Sequence, residues 1–396
     1  MQTTISAPAR TIPLAAESAV KATGRLLFVD NIRVLLTVLV LLHHLMITYA
    51  GTGGWYYKEG LQDFATTAVG AWFTAVNQAF FMGLFLLVSA YFVPGSYDRK
   101  GAWHFFKDRL IRLGIPLAIY SWILNPVFVY LLYGGSGVSF FDYYPRIYFS
   151  ENPFIGSGPT WFIETLLIFS LIYVAWRVAT RNRPVQPVKD CPFPSNRSIV
   201  LFALLMSVLA FLVRIVFVVD EYNFAPLNLQ LAFFAQYIAL FIVGLIAYRR
   251  NWLVNLPDAT GRLWVRAAVF FALAWWPIML ITDAPSNIMP FKGGLHWQSF
   301  ASATWESFIC VSISISLVYL FRRHLNHQGS AAMFFSRNAY TAYLIHPFIL
   351  VPAALAVQSV MLYPLLKWVL VGIVVVPLCF GLGQLIRKLP YTERVL

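Results

Sequence analysis

The sequence predicts an all-α polytopic membrane protein with about ten transmembrane helices and both termini in the cytoplasm. Hydrophobic residues make up 59% of the 396 residues and charged residues only 11%, whereas a soluble domain carries about 25% charged residues. The net charge of +13 does not indicate a nucleic-acid partner, because the basic residues lie in short blocks between apolar runs rather than on one polar face. Composition therefore excludes a water-soluble globule and a nucleic-acid-binding domain.

Ten apolar runs are long enough to cross a bilayer, which requires about 20 mostly apolar residues per helix. Prolines within the ninth and tenth runs are compatible with membrane helices when neighbouring helices satisfy the freed backbone groups. The predicted spans are 34–50, 72–93, 113–133, 159–178, 198–219, 229–248, 263–282, 298–321, 339–358 and 364–386. The first run continues into "GTGGWYY", which we interpret as an interfacial aromatic belt.

The distribution of Lys and Arg sets the orientation. Of the 29 Lys and Arg residues, 24 fall in the termini and alternate loops that ten spans place on one side, and 3 fall on the other. By the positive-inside rule this basic side is the cytoplasm. Residues 1–25 lack the apolar core of a signal peptide and are predicted to be a disordered cytoplasmic tail, followed by one transmembrane domain over 26–390. The three cysteines show neither a disulfide framework nor metal-ligand spacing, so no metal is expected.

The first span carries ionisable groups into the membrane, where each costs at least about 2.5–3.5 kcal/mol. Arg33 and His44 are eleven residues apart, which on a helix is three turns plus roughly 20° and a rise of about 16 Å. They therefore share one face, with Arg33 at the cytoplasmic mouth and His44 near mid-bilayer. His43 is rotated by about 100° from His44 and is expected to face another wall. The alternative is that Arg33 only enforces topology and His44 only bonds a neighbouring helix.

Four other ionisable residues within the spans are informative, namely Glu164, Arg214, Glu306 and His346. Glu164 and Glu306 enter from the outer side and reach the level of the histidines, so either carboxylate could orient His44 as the acid of a triad does. The alternative for either acid is an ion pair with Arg214, because an intramembrane arginine needs a partner. His346 rises about 13 Å from the cytoplasmic side, although Pro347 beside it is equally consistent with a structural kink.

Arg109 and Arg112 precede the third span on the cytoplasmic side. They are three residues apart and so lie on one face of a helix. Arginine forks bind phosphate bidentately, which suits a phosphorylated cofactor. Spacing alone favours a topology role for them.

Five motifs, taken together and in order, resemble the acyltransferase-3 family of membrane proteins, over about Phe28 to Arg387. These are Arg33-x10-His44, "FFMGLFLLVSAYF" (with Ser-Ala-Tyr where the family usually has Ser-Gly), "RLIRLGIPL", "GPTWFIETLLIF" and "AYLIHPFIL". The His43-His44 doublet and "GGWYY" resemble the glucan biosynthesis protein C branch of the family.

The resemblance implies transfer of an acyl group, acetyl or succinyl, from cytoplasmic acyl-CoA to a hydroxyl of an extracytoplasmic glycan or lipid-linked sugar. The protein would then lie in a bacterial inner membrane, in contact with membrane lipid. Histidine is the side chain best suited to accept a hydroxyl proton near neutral pH, so His44 is the expected base, with Glu164 and His43 in support. Arg33, Arg109 and Arg112 are expected to bind the CoA phosphates, and Trp161, Glu306 and His346 are placed at the acceptor site.

A rival interpretation is a proton-coupled secondary transporter or exporter, in which the intramembrane His and Glu residues relay protons. The sequence shows no obvious internal repeat, which disfavours the inverted-repeat transporters. No Gly-x-Ser-x-Gly nucleophile motif is present, so direct transfer is favoured over a serine-bound acyl-enzyme. A covalent acyl-histidine stays open.

Overall fold

The computed structural model describes residues 25–51, 53–60, 63–133, 137–149, 157–183, 186–221, 229–282, 284 and 287–396. Within these ranges the regular structure is helical and contains no β-strand. The predicted tail, residues 1–25, lies outside the described residues except for Arg25.

The described part of the N-terminal half contains seven α-helices. They are α1 (Leu27–Ala50), α2 (Phe64–Tyr91), α3 (Val93–Arg109), α4 (Ile115–Ile119), α5 (Asn125–Tyr133), α6 (Phe140–Phe149) and α7 (Trp161–Ala179). Two π-helical turns, Leu110–Gly114 and Tyr120–Leu124, join α3 to α5 through α4. Gly101 adopts a φ of 74° inside α3 and marks a kink there.

Eight further α-helices lie in the C-terminal half, among the residues that the structure describes. They are α8 (Asn196–Val216), α9 (Phe234–Arg249), α10 (Asp258–Ile281), α11 (Met289–Lys292), α12 (Trp297–His324), α13 (Ser330–Ile345), α14 (Pro347–Ala356) and α15 (Pro364–Arg387). Among the described residues, nine helical segments are long and apolar enough to cross a membrane, and the pair α13 and α14, bent by 70°, makes a tenth. The predicted number of spans is thus confirmed.

The ninth span is broken at His346. Pro347 follows directly, and a proline removes a backbone donor and clashes with the preceding turn of a helix. The chain therefore turns by 70° between α13 and α14. The predicted kink and the predicted mid-membrane histidine occur at the same position.

Helix α1 lies at the centre of the bundle, where it contacts α2, α12, α13 and α15. Close packing between neighbours depends on small residues, as is usual within membranes. A side chain at Gly244 of α9 would meet the carbonyl oxygen of Leu87 in α2 at 2.4 Å, so α2 and α9 approach backbone to backbone. The outward faces are apolar and exposed, as at Leu205 of α8 and Ile373 of α15, which suits contact with lipid.

Candidate functional site

The centre of the candidate site is a pair of imidazoles from α1 and from the break between α13 and α14. His44 Nδ1 lies 2.9 Å from His346 Nε2. The two rings are nearly coplanar, with an interplanar angle of 6°, so they meet edge to edge. His346 is fully buried. The kink at Pro347 thus places the second histidine against the first.

The hydrogen bonds fix which nitrogen of each neutral ring carries the proton. His346 Nδ1 bonds the backbone carbonyl oxygen of Tyr343, and a carbonyl only accepts, so Nδ1 of His346 must be the donor. The Nε2 of a neutral His346 is then an acceptor, and Nδ1 of His44 donates to it. Nε2 of His44 is left with a free lone pair. The pair therefore presents His44 in the tautomer that a general base needs.

Trp55 covers both imidazoles. Its ring lies parallel to that of His44, with centroids 4.0 Å apart and an interplanar angle of 9°, and it is also parallel to His346 at 5.7 Å. An indole face stabilises a cation beneath it electrostatically, so the stack favours the imidazolium that forms when His44 takes up a proton. The predicted interfacial belt at "GGWYY" is wrong for Trp55 and Tyr56, which are only 4% and 2% exposed.

Several contacts hold the segment that carries Trp55 inside the bundle. The Tyr56 hydroxyl donates to the Asn125 side-chain oxygen at 2.5 Å, and the Tyr133 hydroxyl donates to the Tyr56 carbonyl. Glu59 forms an ion pair with Lys367, whose side chain is 2% exposed. Polar groups in a membrane are satisfied internally, so these contacts draw the loop inward and fix the indole over the histidines.

His43 faces a different set of neighbours, as the helical rotation predicts. Its Nδ1 lies 3.3 Å from the Asn77 side-chain nitrogen, and its ring packs on Phe81 at 5.1 Å. The Asn77 amide also donates to the carbonyl of Leu39. His43 is therefore joined to α2, and it contacts His44 only through a T-shaped ring contact at 5.7 Å.

A cavity of about 420 Å³ adjoins His44. It is bounded by loops on the side opposite the basic loops, including Gly53–Tyr56 and Val219–Asp220. Four of the predicted site residues line it, namely His43, His44, Trp161 and Glu306, whereas His346 lies behind His44. The other wall residues are aliphatic in part, and they include aromatic residues (Trp55, Tyr56, Phe233, Tyr237, Trp275, Phe291, Trp305) and polar residues (Thr74, Gln78, Asp220, Gln230, Lys292, Ser302). Such a mixture of aromatic surface and a few polar groups is typical of small-molecule sites.

Glu306 forms an ion pair with Arg214 instead of orienting His44. The two side chains meet in a bidentate contact, with Arg214 Nη1 3.1 Å from Glu306 Oε1 and Nη2 2.5 Å from Oε2. Arg214 is 1% exposed, and an isolated buried guanidinium is far more costly than a neutral histidine. The carboxylate therefore pairs with Arg214, which is the second of the two alternatives that the sequence allowed.

Glu164 does not contact His44 either. It lies in the first turn of α7, is 6% exposed and hydrogen-bonds Ser157. Its Oε2 is buried and has no hydrogen-bond partner among the described residues. The expectation that an acid orients His44 is wrong, because the Nδ1 side of that ring is already occupied by His346.

The predicted cofactor-binding arginines lie at the basic side of the bundle. Arg33 shares α1 with His44, so the helical spacing predicted for them is realised, and its guanidinium lies 3.3 Å from Asp30 and over the Phe92 ring. Arg109 lies within electrostatic range of both Arg33 and Arg112, and all three residues lie on the basic side of the bundle; we call them the basic cluster. None of them lines the cavity on the other side.

The helix geometry around Arg112 leaves this member of the basic cluster accessible. Arg112 lies in the first π-helical turn, a feature frequent at functional sites, and its carbonyl accepts a hydrogen bond from the Tyr340 hydroxyl at 2.7 Å. Arg112 itself is exposed on the basic side. A basic-side anion can therefore reach this guanidinium without disturbing the bundle.

Comparison with known proteins identifies the family. Residues 26–384 match the family model of the acyltransferase-3 type, described as an acyltransferase domain. Comparison with curated proteins gives no match, and neither does comparison with solved structures. Because the family model covers nearly the whole chain, this membrane protein belongs to the acyltransferase-3 family.

Proposed function

We propose that the protein is a membrane-bound O-acyltransferase with His44 as its general base. It would move an acetyl or succinyl group from cytoplasmic acyl-CoA to a hydroxyl of an extracytoplasmic glycan or lipid-linked sugar. Membership of the acyltransferase family supports acyl transfer. The observation that carries the residue assignment is the His44–His346 bond, which leaves Nε2 of His44 free to accept a proton.

In this proposal His44 Nε2 removes the proton of the acceptor hydroxyl while the oxygen attacks the thioester carbonyl. The tetrahedral intermediate collapses by breaking the carbon–sulfur bond, and the imidazolium returns its proton to the departing thiolate. The products are an ester and free CoA. Nδ1 of the His44 imidazolium donates a hydrogen bond to Nε2 of His346, and Trp55 lies on the face of the His44 ring, so both stabilise the charge that appears in the transition state.

The distribution of charge and aromatic surface supports entry of the two substrates from opposite sides of the membrane. The Arg33, Arg109 and Arg112 cluster on the basic side suits the phosphates of CoA. The cavity on the other side is lined by Trp161, which stacks on Tyr237 at 5.5 Å, and by polar groups that suit a hydroxyl-rich acceptor. Along α1, Arg33 and His44 are about 16 Å apart, a distance that a long, narrow thioester arm can cross. The bacterial inner membrane is part of the proposal and is supported by membership of the family.

Mass spectrometry of cell-envelope glycans tests the proposal. Cells that contain the protein are expected to carry glycans with an acetyl or succinyl mass increment, and cells that lack it are expected to lose that increment. Restoring the wild-type gene should restore the increment, whereas His44→Ala should not. Identical glycan and lipid masses with and without the protein would contradict the proposed function.

A further inference from the structure

A second opening lies beside the cavity and is mostly apolar, apart from Arg250, Ser198 and Ser314. It is a groove of about 1100 Å³ between α8 and α9, with residues of α2 and α12 as its floor. Helix α8 packs mainly on α12 and touches α9 little, which leaves the space between them. We call this space the lateral groove. Its walls include Phe202, Leu212, Ile238, Ile242 and Val243.

The lateral groove opens toward the bilayer rather than toward water. Its rim residues Leu212, Val216 and Ile242 are 52%, 68% and 48% exposed. From Ile199 to Val216 it follows α8 for about 26 Å, close to the roughly 30 Å of the hydrocarbon core. Water is absent at that depth, and hydrocarbon chains are what such an opening meets in a membrane. The groove therefore has the length and polarity of a lipid chain.

One end of the lateral groove meets the acceptor cavity. At the end of α8, Val216 and Phe217 line the groove, and Val219 and Asp220 line the cavity. At the start of α9, Ala235 lines the groove. Two residues earlier, Phe233 lines the cavity. The two spaces thus share a wall on the side opposite the basic loops.

Polar groups gather at this junction. Val213 and Val216, on either side of Arg214 in the sequence, line the groove. Glu306 lines the cavity. The Arg214–Glu306 pair therefore lies between the two spaces. Lys292 also lines the cavity and lies 2.6 Å from Asp220. A lipid whose chain lies in the groove therefore meets polar and charged groups where its head would begin.

We infer that the lateral groove holds the hydrocarbon chain of the acyl acceptor, which is an amphiphile with a carbohydrate head. The chain lies between α8 and α9, and the head extends past the end of α8, along Val219 and Asp220, into the cavity beside His44. This inference rests on the proposed function and narrows its acceptor to a lipid-linked sugar. Burial in the groove gains little free energy over the bilayer, because lipid tails are as apolar as the walls. The head therefore supplies the affinity, and a filled groove prevents binding by steric exclusion of the chain. The groove also aligns the head with the base, which raises the effective concentration of the hydroxyl.

Groove-filling variants test the inference. Ala239→Trp places a large ring in the middle of the lateral groove, and Ile242→Trp narrows its opening from the lipid side should the first variant fail to fold. Leu205→Trp is the matched control, because Leu205 is a 58% exposed lipid-facing residue of α8 that does not line the groove. The probe is the lipid that each protein retains when it is taken from its own membranes into nanodiscs. Mass spectrometry then compares retained lipid with the bulk extract.

Wild type and Leu205→Trp are expected to retain a glycosylated lipid enriched about ten-fold over the bulk extract, and the groove variants to lose most of that enrichment. Retention of ordinary phospholipid in bulk proportions by wild type, or equal enrichment in all variants, would overturn the inference. His44→Ala should keep the glycolipid while losing acyl transfer. Acylation of water-soluble glycans only, without glycolipid enrichment, would leave the proposed function standing and remove this inference. Glycolipid enrichment without any acyl transfer would contradict the proposed function, and the assignment of the bound lipid as an acyl acceptor would be lost with it.

Discussion

His44 Nδ1 lies 2.9 Å from His346 Nε2, although the two residues are 302 positions apart in the chain. The contact exists because α1 passes the point where Pro347 breaks the ninth span. The hydrogen bond fixes the orientation of the His44 ring and leaves Nε2 of His44 available to a substrate. The candidate chemistry of the protein depends on this pair.

Replacing His346 should lower the rate of the chemical step without changing acyl-CoA affinity. His346→Ala removes the acceptor that holds the Nδ1 proton of His44, so we expect kcat to fall at least about ten-fold. His346→Gln offers a side-chain oxygen to the same proton and should recover part of the loss. Steady-state kinetics in proteoliposomes measures both variants. Equal activity of the Ala variant and wild type would show that His346 does not orient the base.

Trp55 should affect kcat through its aromatic face. Trp55→Phe keeps a ring over His44 but offers a weaker cation–π surface, and Trp55→Leu offers none; cation–π contacts in desolvated sites are worth up to about 2 kcal/mol. We expect kcat to decrease from wild type to Phe to Leu, by at most about thirty-fold. Thermal unfolding in detergent checks that each variant is folded. Equal kcat for the Phe and Leu variants would contradict an electrostatic role for the indole.

The basic cluster should determine acyl-CoA binding. In Arg109→Ala/Arg112→Ala we expect the KM for acyl-CoA to rise by about ten-fold or more, because charge-assisted hydrogen bonds to phosphate contribute about 1.5–3 kcal/mol each. The acceptor KM should not change. Arg262→Ala/Arg266→Ala, at the basic end of α10, is the matched control for topology. If both double variants change the KM for acyl-CoA equally, Arg109 and Arg112 serve only the membrane topology of the protein.

The Arg214–Glu306 pair should matter for stability. Glu306→Leu leaves a guanidinium that is 1% exposed without its counter-ion, and breaking a buried pair costs about 3–5 kcal/mol. Arg214→Met/Glu306→Leu removes both charges and should be much more stable than the single variant. Unfolding in detergent micelles measures the difference. A single variant as stable as the double variant would mean that the pair contributes nothing to the fold.

Hydropathy and charge patterns were sufficient to predict the spans and the shared helix of Arg33 and His44. These features depend on local periodicity, and α1 is a continuous helix from Leu27 to Ala50. His346 was also predicted to reach mid-membrane. Its contact with His44 could not be predicted, because it depends on how α1 packs against the kink at Pro347.

The environment of His44 was mispredicted for a physical reason. The cost of burying a charge indicates that Glu306 needs a partner, but it does not indicate whether that partner is His44 or Arg214. Trp55 was missed because "GGWYY" follows the end of an apolar run, where aromatic residues commonly mark the interface. The only signal against that interpretation was the acidic Glu59 two residues beyond the motif, whose partner Lys367 lies in the last span.

The most direct test of the account is the acyl-transfer rate of His44→Ala in proteoliposomes, with acyl-CoA supplied on one side and membrane-extracted acceptor present. Leu205→Ala, a lipid-facing change, is the control for insertion and folding. We expect the control to match wild type and His44→Ala to lose about 10²–10⁴-fold in kcat, as removal of a general base does. A folded and inserted His44→Ala protein that transfers acyl groups at the wild-type rate would contradict the central claim.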